Sequence, residues 1–408
     1  MSKQLQSTAK GFLGFSPADW RLIVALSTLQ SIAFLPLALA PVYLATLTAE
    51  LGLSETGAGG LLTLEFLALA LTSSLVGSVI NRFSLSYLSL LAGGLLVLGN
   101  AACVFVADPN SVLFVLLRVM CGCGSGIAMA VAISGVLNVS DSDRAYGIVG
   151  AGSFTLSATT LVLASAVLEQ GGASYLFALL VGIVLLYTLP SPVLRRSRLP
   201  HQTPGDTADT GSLPVLKLGA VYMVFVMLYG LAVNIGWTFS LQMGLATGLS
   251  SVDATSWLSA NYYLSMPGNL LAAWLGLKYG RSPFFSGLLA LGISLWLVFT
   301  LQLPEGFMMG QLIFGFFYGL TLPYMYGVGA ALDSQGRWAA ITPGMFMFST
   351  VISPLLGAYL LEVSGSAWVG WLLVSFLLVA AVVLWQVLSR LPATQPGSEP
   401  AINLQSLT

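Results

Sequence analysis

The sequence predicts an all-α membrane protein of twelve spanning helices in two pseudo-symmetric six-helix bundles, and three observations carry that expectation. Of its 408 residues, 57% are hydrophobic and 7% charged, which leaves too little polar surface to clothe a soluble domain. Apolar stretches of roughly 20 residues, the length that crosses a bilayer, recur along the whole chain. Lys and Arg fall in every second gap between those stretches, while the intervening gaps hold only acids.

Spans 1 to 6 are expected at 22–48, 57–80, 85–106, 111–137, 145–168 and 173–194, and spans 7 to 12 at 218–245, 255–277, 283–301, 307–332, 338–361 and 367–388. Lys3, Lys10 and Arg21 precede span 1. Arg82, Arg144, the group Arg195, Arg196, Arg198 and Lys217, then Lys278, Arg281, Arg337 and Arg390 follow in alternate gaps. Glu50, Glu55, Asp108, Glu169, Asp253, Glu305 and Glu362 occupy the other gaps. Short loops that carry Lys and Arg stay in the cytoplasm, so both termini are expected there, in an inner or plasma membrane. Span 1 is not read as a cleaved signal, because it is too long and no small-residue cleavage site follows it.

The stretch 195–217 is the only long polar segment between spans, rich in Pro, Thr, Asp and Gly. It reads as a flexible linker between a first bundle over 1–194 and a second over 218–408. Its His201 is the only histidine in the chain, and a lone imidazole in a linker is read as inert. Cys103, Cys121 and Cys123 all fall inside spans, in positions unsuited to a disulfide or a metal site. Neither a metal nor a cofactor is expected, and without a basic run outside the linker neither is a nucleic-acid partner. The expected partners are a small organic substrate, protons and the lipid bilayer, for a chain acting as a monomer.

The halves repeat. Gly52-Leu53-Ser54 recurs as Gly248-Leu249-Ser250, and at the same offset Glu65 falls on Asn261, Arg82 on Lys278 and Ser84 on Gly280. Span 4 carries Arg118, Gly122, Gly126, Ala130 and Ser134 at intervals of four. Span 10 answers with Gln311, Gly315, Gly319, Pro323 and Gly327. Residues four apart share a helix face, so each stripe is a strip of small residues headed by a polar group, suited to close packing or to bounding a cavity.

Two six-helix halves in parallel repeat describe a transporter whose substrate lies between them near the midplane. On these features the chain resembles the major facilitator superfamily. The family's loop motif after span 2 is present in weakened form as Gly77-Ser78-Val79-Ile80-Asn81-Arg82-Phe83-Ser84-Leu85, with Asn81 in place of the acid and Leu85 in place of the second base. The second half supplies Gly276-Leu277-Lys278-Tyr279-Gly280-Arg281, and Arg118 followed by Gly122 matches the span 4 motif. The resemblance implies gating roles for the loop residues Gly77, Arg82, Lys278, Gly280 and Arg281, and a transport role for Arg118. Span 5 lacks the Gly-Pro element of the family's drug antiporters, and the marks of peptide symporters and sugar porters are also missing. The subfamily stays open.

Glu65 and Arg118 are the only formal charges placed well inside spans, both about 10 to 12 Å below the acid-bearing ends. Intramembrane charges at one level pair or share a watery cavity, and default to functional hypotheses. Burial favours the neutral form of a carboxylate and a neighbouring guanidinium the ionised form. If alternating access parts them, Glu65 binds a proton in one state and releases it in the other. Two other readings stand beside this one: Arg118 anchors an anionic substrate group, or the pair is purely structural in a facilitator. The remaining cavity wall is expected from Gln30 in span 1, Asn234 and Trp237 in span 7, Asn261 and Tyr262 in span 8, and Gln311 and Tyr318 in span 10, a set suited to an amphipathic organic molecule. Gly122, Gly126, Gly315 and Gly319 are expected to pack helices. An intramembrane enzyme fails for want of a nucleophile motif or paired acids, and a channel for want of charged rings or a carbonyl filter. Export and uptake are equally compatible with these residues.

Overall fold

The computed structural model describes residues 15–106, 108–140, 142–196, 213–276, 278–332 and 337–390. Among them, nine helices are long and apolar enough to cross a membrane. Two of the nine hold two spans each. The runs Ala145–Leu194 and Ile341–Leu388 cover 50 and 48 residues, which as straight helices would extend about 70 Å, far beyond a hydrocarbon core of about 30 Å. The first turns at Gly171 and Gly172 and the second at Gly365, and Gly172 (φ 69°) and Gly365 (φ 76°) adopt a left-handed φ that glycine tolerates. The one span outside these nine, span 8 at Ser251–Leu275, is helical but falls short on apolarity because it carries Asn261, Ser265 and Asn269.

Span 1 begins at Pro17, five residues earlier than expected, because Ser16 and Asp19 form a capping box. The Ser16 hydroxyl accepts from the Asp19 N–H at 3.1 Å, and Asp19 accepts in return from the Ser16 N–H at 3.1 Å. This span is broken into Pro17–Ala38 and Ala40–Ala45, followed by a π-helical turn Thr46–Glu50. Pro41 causes the break: having no N–H, it leaves the Leu37 carbonyl without its i+4 donor. Span 7 is broken at the corresponding place, into Leu213–Thr238 and Ser240–Ala246. Lys217 therefore belongs to span 7 rather than to the linker. Residues 197–212, with Arg198 and His201, lie outside the described residues, as do Lys3 and Lys10.

The repeated Gly-Leu-Ser has a mechanical basis. Gly52 (φ 72°) and Gly248 (φ 89°) turn the chain after spans 1 and 7. Ser54 then accepts from the Gly57 N–H at 3.0 Å and Ser250 from the Asp253 N–H at 3.0 Å, capping spans 2 and 8.

Within each half, span 2 packs on span 4 and span 8 on span 10. The halves meet chiefly through spans 2 and 11 and through spans 5 and 8. Every hydrogen bond between the halves, among the described residues, lies between the acid-bearing ends and the middle of the spans. Glu362 accepts from the Thr56 N–H at 2.8 Å and from its hydroxyl, and Thr63 accepts from the Leu355 N–H at 3.2 Å. Ser259 donates to the Ala158 carbonyl at 3.0 Å, and the Thr159 and Tyr263 hydroxyls lie 3.5 Å apart. The Trp237 indole N–H donates at 2.9 Å to the Leu37 carbonyl that Pro41 left free. Toward the Lys- and Arg-bearing ends no such bond joins the halves among the described residues.

Candidate functional site

Glu65 and Arg118 meet. Arg118 donates from Nε to Oε2 at 3.1 Å, and from Nη2 to Oε1 at 2.6 Å and to Oε2 at 2.8 Å. Its Nη1 donates to Asn100 Oδ1 at 3.1 Å and points at Cys121 Sγ at 3.9 Å. The guanidinium carbon sits 4.7 Å from the centre of the Tyr43 ring and 5.7 Å from that of Phe177. With relative exposures of 1% for Glu65 and 3% for Arg118, both side chains are buried. Spans 1, 2, 3, 4 and 6 all contribute, so the pair lies inside the first bundle, and this is the only ion pair among the described residues. Asn100, Tyr43 and Phe177 were not singled out from sequence. Asn100 could have been, as a polar residue within an apolar run, whereas Tyr43 and Phe177 are marked only by contact.

The glycine stripe explains how the pair is held. A Cβ on Gly122 would collide with the carbonyl oxygen of Glu65, and one on Gly126 with that of Leu69. The two backbones therefore touch directly, and only glycine fits the seam. The second half repeats this construction with neutral groups. Asn261 donates to Gln311 Oε1 at 2.9 Å, with relative exposures of 3% and 2%. Gly315 abuts the Asn261 carbonyl and Gly319 that of Ser265. Asn261 and Gln311, expected on the cavity wall, are instead spent on each other inside the second bundle, because each amide satisfies the other in a place that water does not reach.

Of the other expected wall residues, Trp237 and Tyr262 touch the opposite half. Trp237 and Tyr262 meet edge to face at 5.0 Å, and Tyr262 is 5.7 Å from Phe154 of span 5. Gln30 and Tyr318 are half-buried, and Asn234 donates to the Gly230 carbonyl at 2.8 Å. Phe154 was not anticipated as a contact, since nothing in its local sequence distinguishes it from packing aromatics.

The loop residues lie at the Lys- and Arg-bearing ends. Gly77 has open space where a Cβ would stand, so packing does not require glycine there. Arg82 is exposed at the end of a short 3-10 turn. Gly280 adopts φ 61°, and the Gly276 carbonyl accepts from the Tyr324 hydroxyl at 2.8 Å. Lys278 stands 4.7 Å over the Trp274 ring, and Arg281 is partly buried. No hydrogen bond or ion pair joins these residues to the opposite half among the described residues.

Twelve spans in two repeated bundles, with a polar pair inside each, are the architecture of a membrane transporter rather than an enzyme. A model of the Major Facilitator Superfamily matches residues 22–249, and the chain belongs to that family. No curated protein matches it by sequence. Among solved structures, the nucleoside transporter NupG superposes with a TM-score of 0.71 at 14% identity, covering 91% of this chain and 99% of that one. The D-xylose-proton symporter does so with a TM-score of 0.70 at 16% identity, covering 90% and 97%. At such identities the likeness extends to the fold.

Proposed function

We propose that the protein is a proton-coupled secondary transporter of a small organic molecule, standing here with its cleft open to the cytoplasm. The observation that carries this reading is the one-sided closure: among the described residues, all hydrogen bonds between the halves lie toward the acid-bearing ends. Under the positive-inside rule those ends face outward, and rocking one bundle against the other about the same contacts would expose the site to the opposite side. Glu65 is the proposed proton carrier, because it is the only carboxylate placed mid-membrane and its partner Arg118 would compete with a proton for it.

The substrate-anchor role of Arg118 finds no support in the geometry. Its N–H groups are directed at Glu65, Asn100 and Cys121, leaving none for an incoming anion. The structural reading of the pair does have one observation in its favour. The glycine seam ties spans 2 and 4 together, so a rigid rocking motion alone does not part Glu65 from Arg118. Reconstituted protein in proteoliposomes with an imposed pH gradient separates the two. Glu65→Gln should lose gradient-driven accumulation while keeping substrate exchange, and undiminished accumulation would remove Glu65 from coupling.

A further inference from the structure

Arg118 and Glu65 neutralise each other inside the first bundle, so the middle of the cleft is left without a free charge among the described residues. What borders it is aromatic and neutral polar. Trp237 and Tyr262 form an edge-to-face corner that Phe154 extends from the opposite half. The Trp237 ring is fixed by its bond to the Leu37 carbonyl, so its orientation exists before any substrate arrives. Spans 8 and 10 pack on each other, and Tyr229 of span 7 bonds to Thr321 of span 10, which brings the phenol-bearing stretches of these spans together.

The phenols in this group are not equivalent. The Tyr229 hydroxyl is paired with Thr321 at 2.8 Å. Those of Tyr262, Tyr318 and Tyr326 make no hydrogen bond among the described residues, and all three side chains are half-buried. The Gln30 amide of span 1 is likewise unbonded among the described residues and half-buried. A half-buried hydroxyl or amide with no partner in the protein is held ready for water or for a ligand. A charged ligand, by contrast, would lose its hydration here with no counter-charge to replace it.

We infer that this cleft selects an uncharged ring compound bearing hydroxyl or amide groups. Its flat face rests on the Trp237–Tyr262 corner and its polar groups bond to Tyr318, Tyr326 and Gln30. The inference rests on the transporter reading and narrows its substrate class. It also sets aside the anionic substrates that the sequence left open.

The test is binding to the purified full chain in detergent, by calorimetry, of two matched sets: phenyl glucoside, phenyl glucuronide and phenyl glucosaminide, and benzamide, benzoate and benzylamine. The neutral member of at least one set should bind, with both charged twins weaker by about tenfold or more. Tyr318→Phe should weaken that neutral probe by about tenfold, the value of one hydrogen bond, without shifting the melting temperature, since the lost hydroxyl has no partner in the protein. Tighter binding of a charged twin, unchanged affinity in Tyr318→Phe, or no binding by either set would overturn the inference. A neutral probe that binds at this site but never crosses a proteoliposome membrane would leave the site standing and remove the transporter reading.

Discussion

Glu65 with Arg118 in the first bundle and Asn261 with Gln311 in the second occupy the same place in the repeat, and the two differ in charge far more than in construction. In both, a side chain from the second helix of the half bonds to one from the fourth, and glycines later on the fourth helix rest on carbonyls of the second. What the halves share is therefore a packing device: a glycine seam that brings two backbones into contact and a polar pair that closes its end. The second half shows that amides suffice for this. Charge is the surplus in the first half, and an ion pair removed from water is not the cheaper way to join two helices. That surplus is what a coupling role for Glu65 explains.

The seam should be the most sensitive point in both halves. Gly122→Leu and Gly315→Leu each drive a side chain into a backbone carbonyl that cannot move aside, so both should abolish transport and lower folded yield sharply, read by uptake and by size-exclusion of the purified protein. Full activity in either would show that the seam is not needed in that half.

Next come the pairs themselves. Arg118→Gln leaves Glu65 buried beside a neutral amide and should destabilise by about 3 to 5 kcal/mol, whereas Gln311→Leu, which strands only an amide, should cost about 1 to 3 kcal/mol. Thermal unfolding in one detergent ranks them, and equal losses would mean that charge adds nothing to the first pair.

A transplant sharpens the comparison further. Glu65→Asn with Arg118→Gln installs the pair of the second half in the first, and no unpaired charge remains. Stability should recover to within about 1.5 kcal/mol of the unaltered chain. Proton-driven accumulation should stay lost while counterflow exchange persists. Retained accumulation would make the ion pair structural and the protein a facilitator or a transporter coupled elsewhere.

The smallest effect belongs to the contact between the halves. Thr56→Val removes the hydroxyl that donates to Glu362 but keeps the backbone N–H bond. It should raise the reactivity of a cysteine placed at Thr63 toward an impermeant thiol reagent by about twofold, since an exposed bond of this kind holds little energy. A fall in reactivity would mean that this contact does not close the outer side.

Much of this molecule is local and therefore readable from residues alone. Spans follow from the length of apolar runs and the repeat from Gly-Leu-Ser, whose glycine supplies a left-handed turn and whose serine caps the next helix. The capping box at Ser16 was equally local, and its Ser-Pro-x-Asp pattern already marked the earlier start of span 1. Even the matching depth of Glu65 and Arg118 came from counting residues. Direction did not. Depth along a helix is set by rise per residue, but whether a side chain faces the cleft or its own bundle depends on how neighbouring helices are rotated and packed. Only the tertiary structure turned Arg118 toward Asn100, Tyr43 and Phe177, and Asn261 toward Gln311. It alone left the polar groups of Tyr262, Tyr318 and Gln30 half-buried and unbonded among the described residues. The bond from Trp237 to the Leu37 carbonyl joins both kinds of knowledge: Pro41 announces in sequence that a carbonyl will be free, and only the approach of the second half decides what takes it.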